Sequence, residues 1–594
     1  MIDKVQNLVS SLDSCARRVV PTWGKNHYRR KCGQHLFGTS LRLNLAYLAA
    51  LFACLTLCLL SMPAPASATT WNVQHPPCNA TGNGTTDDTA AINTCIGNLA
   101  VGDTLLFPCG TYLTTSQLST ITMNNVIVDG SSCATIHSNA SGGNILVIGN
   151  GAFTGSYGAA VPLSSIAYEL STSFTTASSL GVNQGDYVYI NQGGEDYSTD
   201  TCAVVDQNPP CQGHSQICAS GVCAPACDTS GCRGEVVKVA SVSGNTVTVT
   251  TALHDTYDPV NNLAQAQKIL NPLTGATVKN ITLDGSGKEN YGLLMLGVFE
   301  SAVTGVTAKN VVYTALYGNS DFNLAWNNVA VTGAGNKNGA AMGLFIQGNP
   351  SVNGASISSL NPGSASDAFG FEFSGSAGGV LRNITVDSTG AYGRPFKTVA
   401  ARWNTFNSPT VRNGSLNDYN GISIEYYSSH NTYNNCVSAN NGTASTGTGN
   451  AGINLFGNFN QYNTFNTCTV SGNGNIQFYI SGYDALRLAQ DSYNTVNGGT
   501  FTGFTSSDPT VLGIQGAGAY VHDATIDGPG AFGIYLDKQA TYACVKNNTF
   551  NSGLGGTINA TAYRDLGSDN DPNNGNLTRA TCPQIAVFAV DATP

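Results

Sequence analysis

Two glutamates and a lysine lie at outward-facing positions of three successive β-rich segments. Glu372 lies in the first segment, Lys397 in the next and Glu425 in the third. Side chains alternate between the faces of a strand, so the apolar neighbours of these residues would face inward and the charged groups outward. Carboxyl groups act as acids, bases or nucleophiles, and a lysine binds anions or transfers protons. With two nearby cations, Arg394 and Arg402, they form the set of catalytic candidates.

Two reactions on a polysaccharide fit these residue types. In a lyase, a base removes the proton beside a uronate carboxyl group while cations neutralise that group, roles that suit Lys397, Arg394 and Arg402. In a glycosidase, two carboxyl groups about 5 to 9.5 Å apart flank the bond. Glu372 and Glu425, two strands of about 4.8 Å spacing apart, are not expected to touch. Other candidates for a second carboxyl group are Asp321, Asp367 and Asp418.

Polar and aromatic side chains continue this strand face towards the C-terminus and are typical of sugar binding. The candidates for substrate binding are Tyr426, Tyr427, Asn454, Gln477 and Asp537. His430 is a weaker acid or base candidate, because histidines are also common in turns. Glu372 is the one candidate metal ligand, calcium is the one cofactor considered, and the metal site is otherwise unknown.

Basic residues are concentrated between residues 380 and 412. This stretch holds one acid, Asp387, and five basic residues, which are Arg382, Arg394, Lys397, Arg402 and Arg412. A local positive patch predicts an acidic ligand such as a uronate carboxylate. The alternative is that these cations form surface ion pairs with Glu372 and Glu425.

Repeated short segments would position these residues. An apolar residue follows the first residue of each segment and recurs two positions later, as expected of strands with one face inward. The segments begin at Gly292, Gly343, Gly370, Gly421, Gly452, Asn475 and Gly533, roughly 22 to 30 residues apart where consecutive, which is a period typical of the coils of a solenoid. A second strand set begins at Val278, Ala302, Leu381 and Asn463. Asparagines between strands favour turns and can stack as ladders.

The segment from Gly82 to Tyr112 carries a family resemblance. It contains G-x-G-x-x-D-D-T-x-A-I, in which Thr86 or Asp87 would cap a short helix, followed by G-D-T-L-x-F-P-x-G-T-Y. This pattern resembles the N-terminal cap of the pectate-lyase-like superfamily, which includes rhamnogalacturonases, polygalacturonases, epimerases and many phage tailspikes. The resemblance implies an all-β fold, a right-handed parallel β-helix with a helical cap, and a polysaccharide ligand.

The motifs of two members of that superfamily are missing. Polygalacturonases would imply Asn-Thr-Asp, Asp-Asp, Gly-His-Gly and Arg-Ile-Lys along successive coils, but only Asn319-Ser320-Asp321 comes near, and Asp87-Asp88 belongs to the cap. The Asp-Pro-His-Glu string of alginate epimerases is also absent. Both chemistries are therefore disfavoured, and Asp321 is expected to be a turn residue.

The chain is predicted to be exported. Residues 1–68 hold eight basic and two acidic residues, an apolar run and Ala66-Ser67-Ala68, which is typical of a signal peptide or a retained signal anchor. Residues beyond them carry 17 basic and 33 acidic side chains, a formal charge of −16, which disfavours nucleic-acid binding. Fourteen cysteines remain there, and an even number in an exported chain predicts disulfides. We expect a secreted or cell-surface protein, bound to a membrane only if the signal segment is retained.

Composition and pattern divide the remaining chain into four regions. We predict a cap with the first coils at 69–154, an inserted disulfide-rich antiparallel β-module at 155–270, the main parallel β-helix at 271–552 and a C-terminal cap at 553–594. Six cysteines within the module, from Cys202 to Cys232, favour disulfides over a zinc site. Cys544 and Cys582 are a candidate pair for the tail.

The favoured hypothesis is a carbohydrate-active enzyme that cleaves a polysaccharide by lyase or hydrolase chemistry, and a uronate-containing polysaccharide is the expected substrate. The alternative is a non-catalytic glycan-binding or adhesin-like β-helix. A trimeric tailspike fibre is a third hypothesis, but no trimerisation region is evident. The sequence leaves the oligomeric state open.

Overall fold

The computed structural model describes most of the chain beyond residue 67. The described residues are 68–149, 157–192, 233–260, 263–334, 339–359, 369–388, 394–414, 420–425, 427–442, 451–456, 460–480, 492–505, 510–516, 518–536, 540, 543–551, 553–555 and 558–559. The predicted signal segment up to residue 67, the six-cysteine stretch and most of the tail lie outside them. Among the described residues, no helix is long and apolar enough to cross a membrane.

The described strands form a parallel β-solenoid of about 14 turns. One face is a twelve-stranded parallel sheet with strands Asn144–Gly149, Tyr291–Leu296, Thr314–Asn319, Ala340–Phe345, Phe369–Ser374, Arg394–Val399, Ile422–Glu425, Ala451–Phe456, Ile476–Ile480, Leu512–Ile514, Ile534–Leu536 and Ile558–Asn559. We call its outward side the groove face. A further two-stranded parallel sheet pairs Leu273–Thr274 with Val298–Phe299.

The other faces belong to one continuous parallel sheet of 23 described strands. These are Thr70–Asn72, Asn83–Asp87, Thr104–Leu106, Gly110–Thr114, Ile127–Ser138, Thr277–Asp284, Ala302–Thr304, Thr307–Lys309, Ala325–Thr332, Ser351–Ser358, Val380–Asp387, Thr405–Asn407, Thr410–Arg412, Thr432–Asn434, Val437–Ala439, Thr464–Asn466, Thr469–Ser471, Thr495–Asn497, Thr500–Thr502, Tyr520–His522, Thr525–Asp527, Cys544–Lys546 and Thr549–Phe550. Its strands close around a single apolar core with the twelve-stranded sheet.

Alternation of side chains builds that core. Phe371 pairs in register with Phe396, which pairs with Ile422, and all three are completely buried. The repeats predicted from their leading residues place apolar side chains inward, as expected. The segment at Gly343 is two residues out of step with the segment at Gly370, because Gly343 pairs with Glu372 and the inward side chains are Met342 and Leu344.

Asparagines stack at the corners between strands. Asn404, Asn431, Asn463 and Asn494 form a buried ladder in which each Nδ2 donates to the Oδ1 of the next at 3.0 Å. The same residues also bond to the backbone of neighbouring coils. Asn435, between two strands, adopts a positive φ, which agrees with the prediction that such asparagines form turns.

The N-terminal end is sealed by a helix, Thr89–Gly97, that buries Ile92, Cys95 and Ile96. The helix starts later than predicted: Asp88, and neither Thr86 nor Asp87, precedes its first residue. Asp88 binds the backbone N–H groups of Thr81 and Gly82 instead of capping the helix.

Disulfides join neighbouring parts of the solenoid. Among the described residues, the bonded pairs are Cys78–Cys95, Cys109–Cys133 and Cys436–Cys468. Bonds of this kind form in oxidising compartments. Cys544 is also disulfide-bonded, and Cys582 lies outside the described residues, so their pairing stays a prediction.

A six-stranded antiparallel sheet is inserted between the cap and the main coils, and we call it the module. Its strands are Val161–Pro162, Ser173–Thr175, Tyr187–Gln192, Arg233–Ser243, Thr246–Val249 and Gln265–Lys268. The predicted hairpin at Gly244, which has a φ of +60°, pairs Ser243 with Thr246. The predicted fold, a parallel β-helix with a helical cap and an inserted β-module, is confirmed, while the exact region boundaries stay predictions.

The module packs on the solenoid through an apolar cluster. Tyr187 stacks on Phe299 with ring centroids 4.2 Å apart, and Phe322 and Ile346 pack beside them. A Cβ atom on Gly348 would lie 2.2 Å from the carbonyl oxygen of Val236, so this glycine allows the two backbones to approach. We call this contact the seam.

Candidate functional site

Glu372 and Lys397 are direct neighbours on the groove face. The two residues pair in register on adjacent strands, and the residues before and after each of them turn into the core. Glu425 lies on the next strand but pairs with Val399, two positions further along, so Ser423 takes the place beside Lys397. The sequence therefore placed Glu425 on the correct face, and Glu425 lies two positions beyond the residue that pairs with Lys397.

Four charged side chains form one network there. Lys397 Nζ lies 3.2 Å from Glu372 Oε1 and 3.9 Å from Glu425 Oε2. Arg394 Nη1 donates to Glu425 Oε1 at 2.6 Å, and Ser423 Oγ donates to the same oxygen at 2.7 Å. The exposed fractions of the side chains of Glu372, Lys397 and Glu425 are 7%, 10% and 3%. The network is therefore largely shielded from bulk water. We call this part of the groove face, with the strands next to it, the groove floor.

Lys397 is held as a cation. Burial lowers its pKa, but the carboxylates of Glu372 and Glu425 together outweigh burial and raise the pKa above the ordinary lysine value, against the opposing effect of Arg394. Its Nζ also lies 4.4 Å from the centre of the Phe369 ring, a cation–π contact that the sequence did not suggest. A lysine that keeps its proton can bind an anion or orient a carboxylate, and it is a poor base.

The two glutamates come closer together than the sequence indicated. Because one oxygen of each lies within 4 Å of the same Nζ, those oxygens are at most about 7 Å apart, which falls in the range spanned by glycosidase carboxyl pairs. Ser374 Oγ donates to Glu372 Oε1 at 3.2 Å. Each carboxylate thus has its own serine partner two residues away along the chain.

Arg402 lies in the seam and not in the network. It is almost completely buried, its Nε lies 3.5 Å from Asp255 Oδ2 in the module, and its Nη2 donates to the carbonyl oxygen of Gly234 at 2.5 Å. Nη1 donates to the carbonyl oxygen of Ala400. These contacts attach the module to the solenoid, so the geometry gives Arg402 a structural role.

The five cations predicted to form a patch are separated in the fold. Arg394 and Lys397 lie on the groove face, Arg402 in the seam, and Arg382 and Arg412 on the other large sheet. Arg412 Nε binds Asp387 Oδ2 at 2.9 Å. These five residues are close in the sequence but lie on different faces, because each coil contributes strands to every face of the solenoid in turn. The expectation of a single positive patch is therefore wrong. Four of the five cations form ion pairs, and two of them, Arg394 and Lys397, pair with Glu372 or Glu425 as the alternative expected.

The substrate-binding candidates divide into three groups. Asn454 lies on the groove face in register with Ser423. Tyr427 is buried against Val399 and Ala400. Tyr426 and Asp537 lie outside the described residues.

Gln477 points away from solvent. It is completely buried, and its Oε1 accepts a hydrogen bond from Asn473 Nδ2 at 3.0 Å. Asn473 in turn accepts one from Asn441 Nδ2 at 2.9 Å. In this structure Gln477 thus ends an internal amide ladder, and its contact with a substrate stays a prediction.

Of the three aspartates considered as a second carboxyl group, the structure describes Asp321, and its side chain is enclosed by protein. It is fully buried and accepts hydrogen bonds from the backbone N–H of Val298 and from Gln347 Nε2, at 2.7 and 2.8 Å. Burial raises the pKa of Asp321 well above its ordinary value. The expectation of a turn residue fits better than a catalytic role. Asp367 and Asp418 lie outside the described residues.

His430 belongs to an aromatic stack that the sequence did not reveal. Trp403, His430, Tyr462 and Tyr493 follow one another on successive coils, with ring centroids 4.5, 4.8 and 5.1 Å apart. Each has a φ near +55° at the same corner. From the module, Glu169 Oε1 accepts a hydrogen bond from Trp403 Nε1 at 2.6 Å and lies 3.6 Å from His430 Nδ1. The available signal was that these four residues occupy the same position in their coils, two residues before the first residue of a short strand.

The groove face changes character along its length. Its N-terminal part is apolar and consists of Val147, Leu294, Leu296, Tyr317 and Phe345. The charged network follows, and beyond it come Ser423, Asn454, Tyr479, Gly513 and Tyr535 in one register row. Within the described part of the chain, no group of three or more histidine, cysteine, aspartate or glutamate residues is arranged to hold a metal ion.

The fold is a parallel β-solenoid. Among solved structures, the chain is similar to the tailspike protein gp49 from Pseudomonas phage LKA1, with 16% identity, 81% of each chain covered and a TM-score of 0.49. It is also similar to the gp54 tailspike of Acinetobacter baumannii bacteriophage AP22, with 14% identity, 80% of this chain and 74% of that chain covered and a TM-score of 0.42.

An enzyme is also among the similar structures. The Azotobacter vinelandii mannuronan C-5 epimerase AlgE6 A-module matches with 11% identity, 82% of this chain and 97% of that chain covered and a TM-score of 0.39. No protein-family model and no curated protein sequence matches the chain. At these identities the similarity concerns the fold.

Proposed function

We propose that this chain is an exported protein that binds a polysaccharide along the groove face and cleaves it as a glycosidase, with Glu372 and Glu425 as the paired carboxyl groups. The observation that carries the proposal is the position of Lys397, whose Nζ lies within 4 Å of an oxygen from each glutamate. The resulting limit of about 7 Å between those oxygens is compatible with a carboxyl pair that flanks a glycosidic bond.

The contacts suggest separate roles for the two glutamates. Glu425 is oriented by Arg394 and Ser423, so we assign it the task of attacking the sugar or activating a water. Glu372, with a longer bond from Ser374, would lie beside the leaving oxygen, where it has to take up a proton before it can act as the acid. Lys397 would keep the two groups apart and limit their mutual repulsion.

Lyase chemistry is less well supported. Its base cannot be Lys397 while the two carboxylates raise the pKa of that lysine, and Arg402 contacts Asp255 in the seam. A uronate lyase would have to use Glu372 or Glu425 as its base. The unsaturated product of such a reaction absorbs ultraviolet light, which separates it from hydrolysis.

A non-catalytic glycan-binding protein is the second candidate. The observation that favours it is the mutual neutralisation of Arg394, Lys397, Glu372 and Glu425 in the groove floor, where ion pairs of this kind can serve the fold alone. Such a protein would bind glycans in the groove without turning them over.

The test is incubation of the purified secreted chain with neutral and uronate-containing polysaccharides, with calcium or with a chelator. New reducing ends without ultraviolet absorbance are expected, and Glu372→Gln and Glu425→Gln should each lower kcat at least about 100-fold. Asp387→Asn, which removes the carboxylate of an exposed ion pair, is the matched control and should keep full activity. Binding without turnover would select the second candidate, and full activity of both glutamine variants would eliminate this site.

A further inference from the structure

The groove floor beside Glu425 is built from neutral groups. Ser423, Asn454 and Tyr479 lie in register on three adjacent strands, immediately beyond Lys397. Strand spacing of about 4.8 Å makes consecutive side chains in such a row neighbours. This row is therefore next to the proposed carboxyl pair along the direction in which a polysaccharide would run.

Asn454 has an unused hydrogen-bonding atom in this row. The residue is 2% exposed, it lies at an outward register position, and its Oδ1 has no hydrogen-bond partner among the residues that the structure describes. A buried amide oxygen without a donor destabilises a protein, and most such atoms in native proteins are paired. A hydroxyl or N–H group of a bound sugar would supply the missing donor, whereas a carboxylate has none to offer.

The charges of the described groove floor do not favour an anionic sugar. Its two cations, Arg394 and Lys397, already contact Glu425 and Glu372. A uronate carboxylate placed here would have to displace one of these glutamates or remain uncompensated beside them. At longer range the chain carries a formal charge of −10, which repels a polyanion.

We infer that the subsite formed by Asn454 next to Glu425 takes a neutral, hydroxyl-bearing sugar unit, and that neutral polysaccharides are the substrate class of the groove. This inference rests on the proposed function and replaces the uronate substrate expected from the sequence. In the bound state a sugar hydroxyl donates to Asn454 Oδ1, and the adjacent Ser423 keeps its hydrogen bond to Glu425. Asn454 is thereby a specificity-determining residue.

The experiment compares two sets of oligosaccharides on the full chain and on Glu425→Gln, which serves to measure binding without turnover. The neutral set contains oligomers of glucose, xylose, mannose, galactose and N-acetylglucosamine, and the charged set contains oligogalacturonate and oligomannuronate. At least one neutral oligomer should give a kcat/KM tenfold or more above any uronate. Its binding should be nearly independent of salt concentration, because no net charge is neutralised.

Variants at Asn454 complete the test. Asn454→Leu, of similar size and without the amide, should raise KM for the neutral oligomer about tenfold or more with a smaller change in kcat, and Asn454→Asp should do the same. Preferential turnover of uronates, or unchanged KM in both variants, would overturn the inference and leave the proposed glycosidase standing. Failure to bind or cleave any member of either set would overturn the proposed function as well.

Discussion

Asp255 of the module lies 3.5 Å from Arg402 of the solenoid, and both side chains are almost completely buried. Arg402 also donates hydrogen bonds to the carbonyl oxygens of Gly234 and Ala400. One side chain therefore joins an antiparallel sheet to a parallel coil by an ion pair and the hydrogen bond to Gly234, while the bond to Ala400 lies within its own coil. This contact helps to hold the module on the solenoid.

Replacing Arg402 by alanine should destabilise the protein by about 3–5 kcal/mol, because the buried carboxylate of Asp255 would lose the guanidinium that faces it. The double variant Arg402→Ala with Asp255→Asn should recover part of that loss. Chemical denaturation measures both values. The control is Arg412→Ala, which breaks an exposed ion pair with Asp387 and should cost less than about 1 kcal/mol. Equal costs for the two alanine variants would contradict a role for Arg402 in docking the module.

Gly348 tests the seam independently of charge. A Cβ atom there would lie 2.2 Å from the carbonyl oxygen of Val236 and 2.6 Å from the Phe322 ring. Gly348→Ala should therefore displace the module, with a cost of about 1–3 kcal/mol and faster proteolytic cleavage. At Gly97, the last residue of the cap helix, a Cβ atom would meet nothing within 4 Å, so Gly97→Ala is the matched control and should leave both properties unchanged.

Side chains alternate between the two faces of a strand, so the apolar residues alone show which face is buried. The sequence therefore predicted the outward position of Glu372 and Lys397. It could not give the register of Glu425, since the loops between coils differ in length and a shift of two residues keeps the same face. The role of Arg402 was hidden for another reason. Its partner Asp255 comes from the inserted module, and no local pattern shows which coil an insertion will contact.

Asn463 tests the contribution of the buried amide ladder. Its Nδ2 donates to Asn494 Oδ1 and to the carbonyl oxygen of Ser428, and its Oδ1 accepts from the backbone and side chain of Asn431. Asn463→Ala would leave several buried groups without partners, each worth about 1–3 kcal/mol, so the total loss should exceed 2 kcal/mol. Thermal and urea unfolding would measure it.

The control for that variant is on the same coil. Asn466 belongs to a more exposed ladder, in which its Nδ2 donates to Asn434 Oδ1 at 2.8 Å. Water can replace the lost partners there, so Asn466→Ala should cost less than about 1 kcal/mol. If the two alanine variants were equally stable, the buried ladder would not be a main stabilising element.

His430 should make stability depend on pH. Burial lowers its pKa below the ordinary value of about 6.5, and the carboxylates of Glu169 and Asp255 only partly oppose this effect. The unfolded chain then binds the proton more readily than the folded one, so the stability is full above about pH 6.5 and decreases as the pH falls from there towards the folded pKa. His430→Phe keeps an aromatic ring between Trp403 and Tyr462 and should remove this part of the pH dependence. Parallel pH profiles for the two proteins would refute the assignment.

Lys397 connects stability and activity, since its removal leaves Glu372 and Glu425 facing each other in the groove floor without the shared cation. Lys397→Met should therefore lose turnover and also about 3–5 kcal/mol of stability. Loss of a freely exposed catalytic lysine would instead abolish turnover and leave the fold intact. Adding Glu372→Gln to Lys397→Met removes the carboxylate that has lost its cation and should restore part of the stability without restoring activity. Denaturation and turnover measured on the same three proteins separate the two effects. Unchanged stability in Lys397→Met would mean that water already compensates Glu372, which would contradict the limited solvent access of the site.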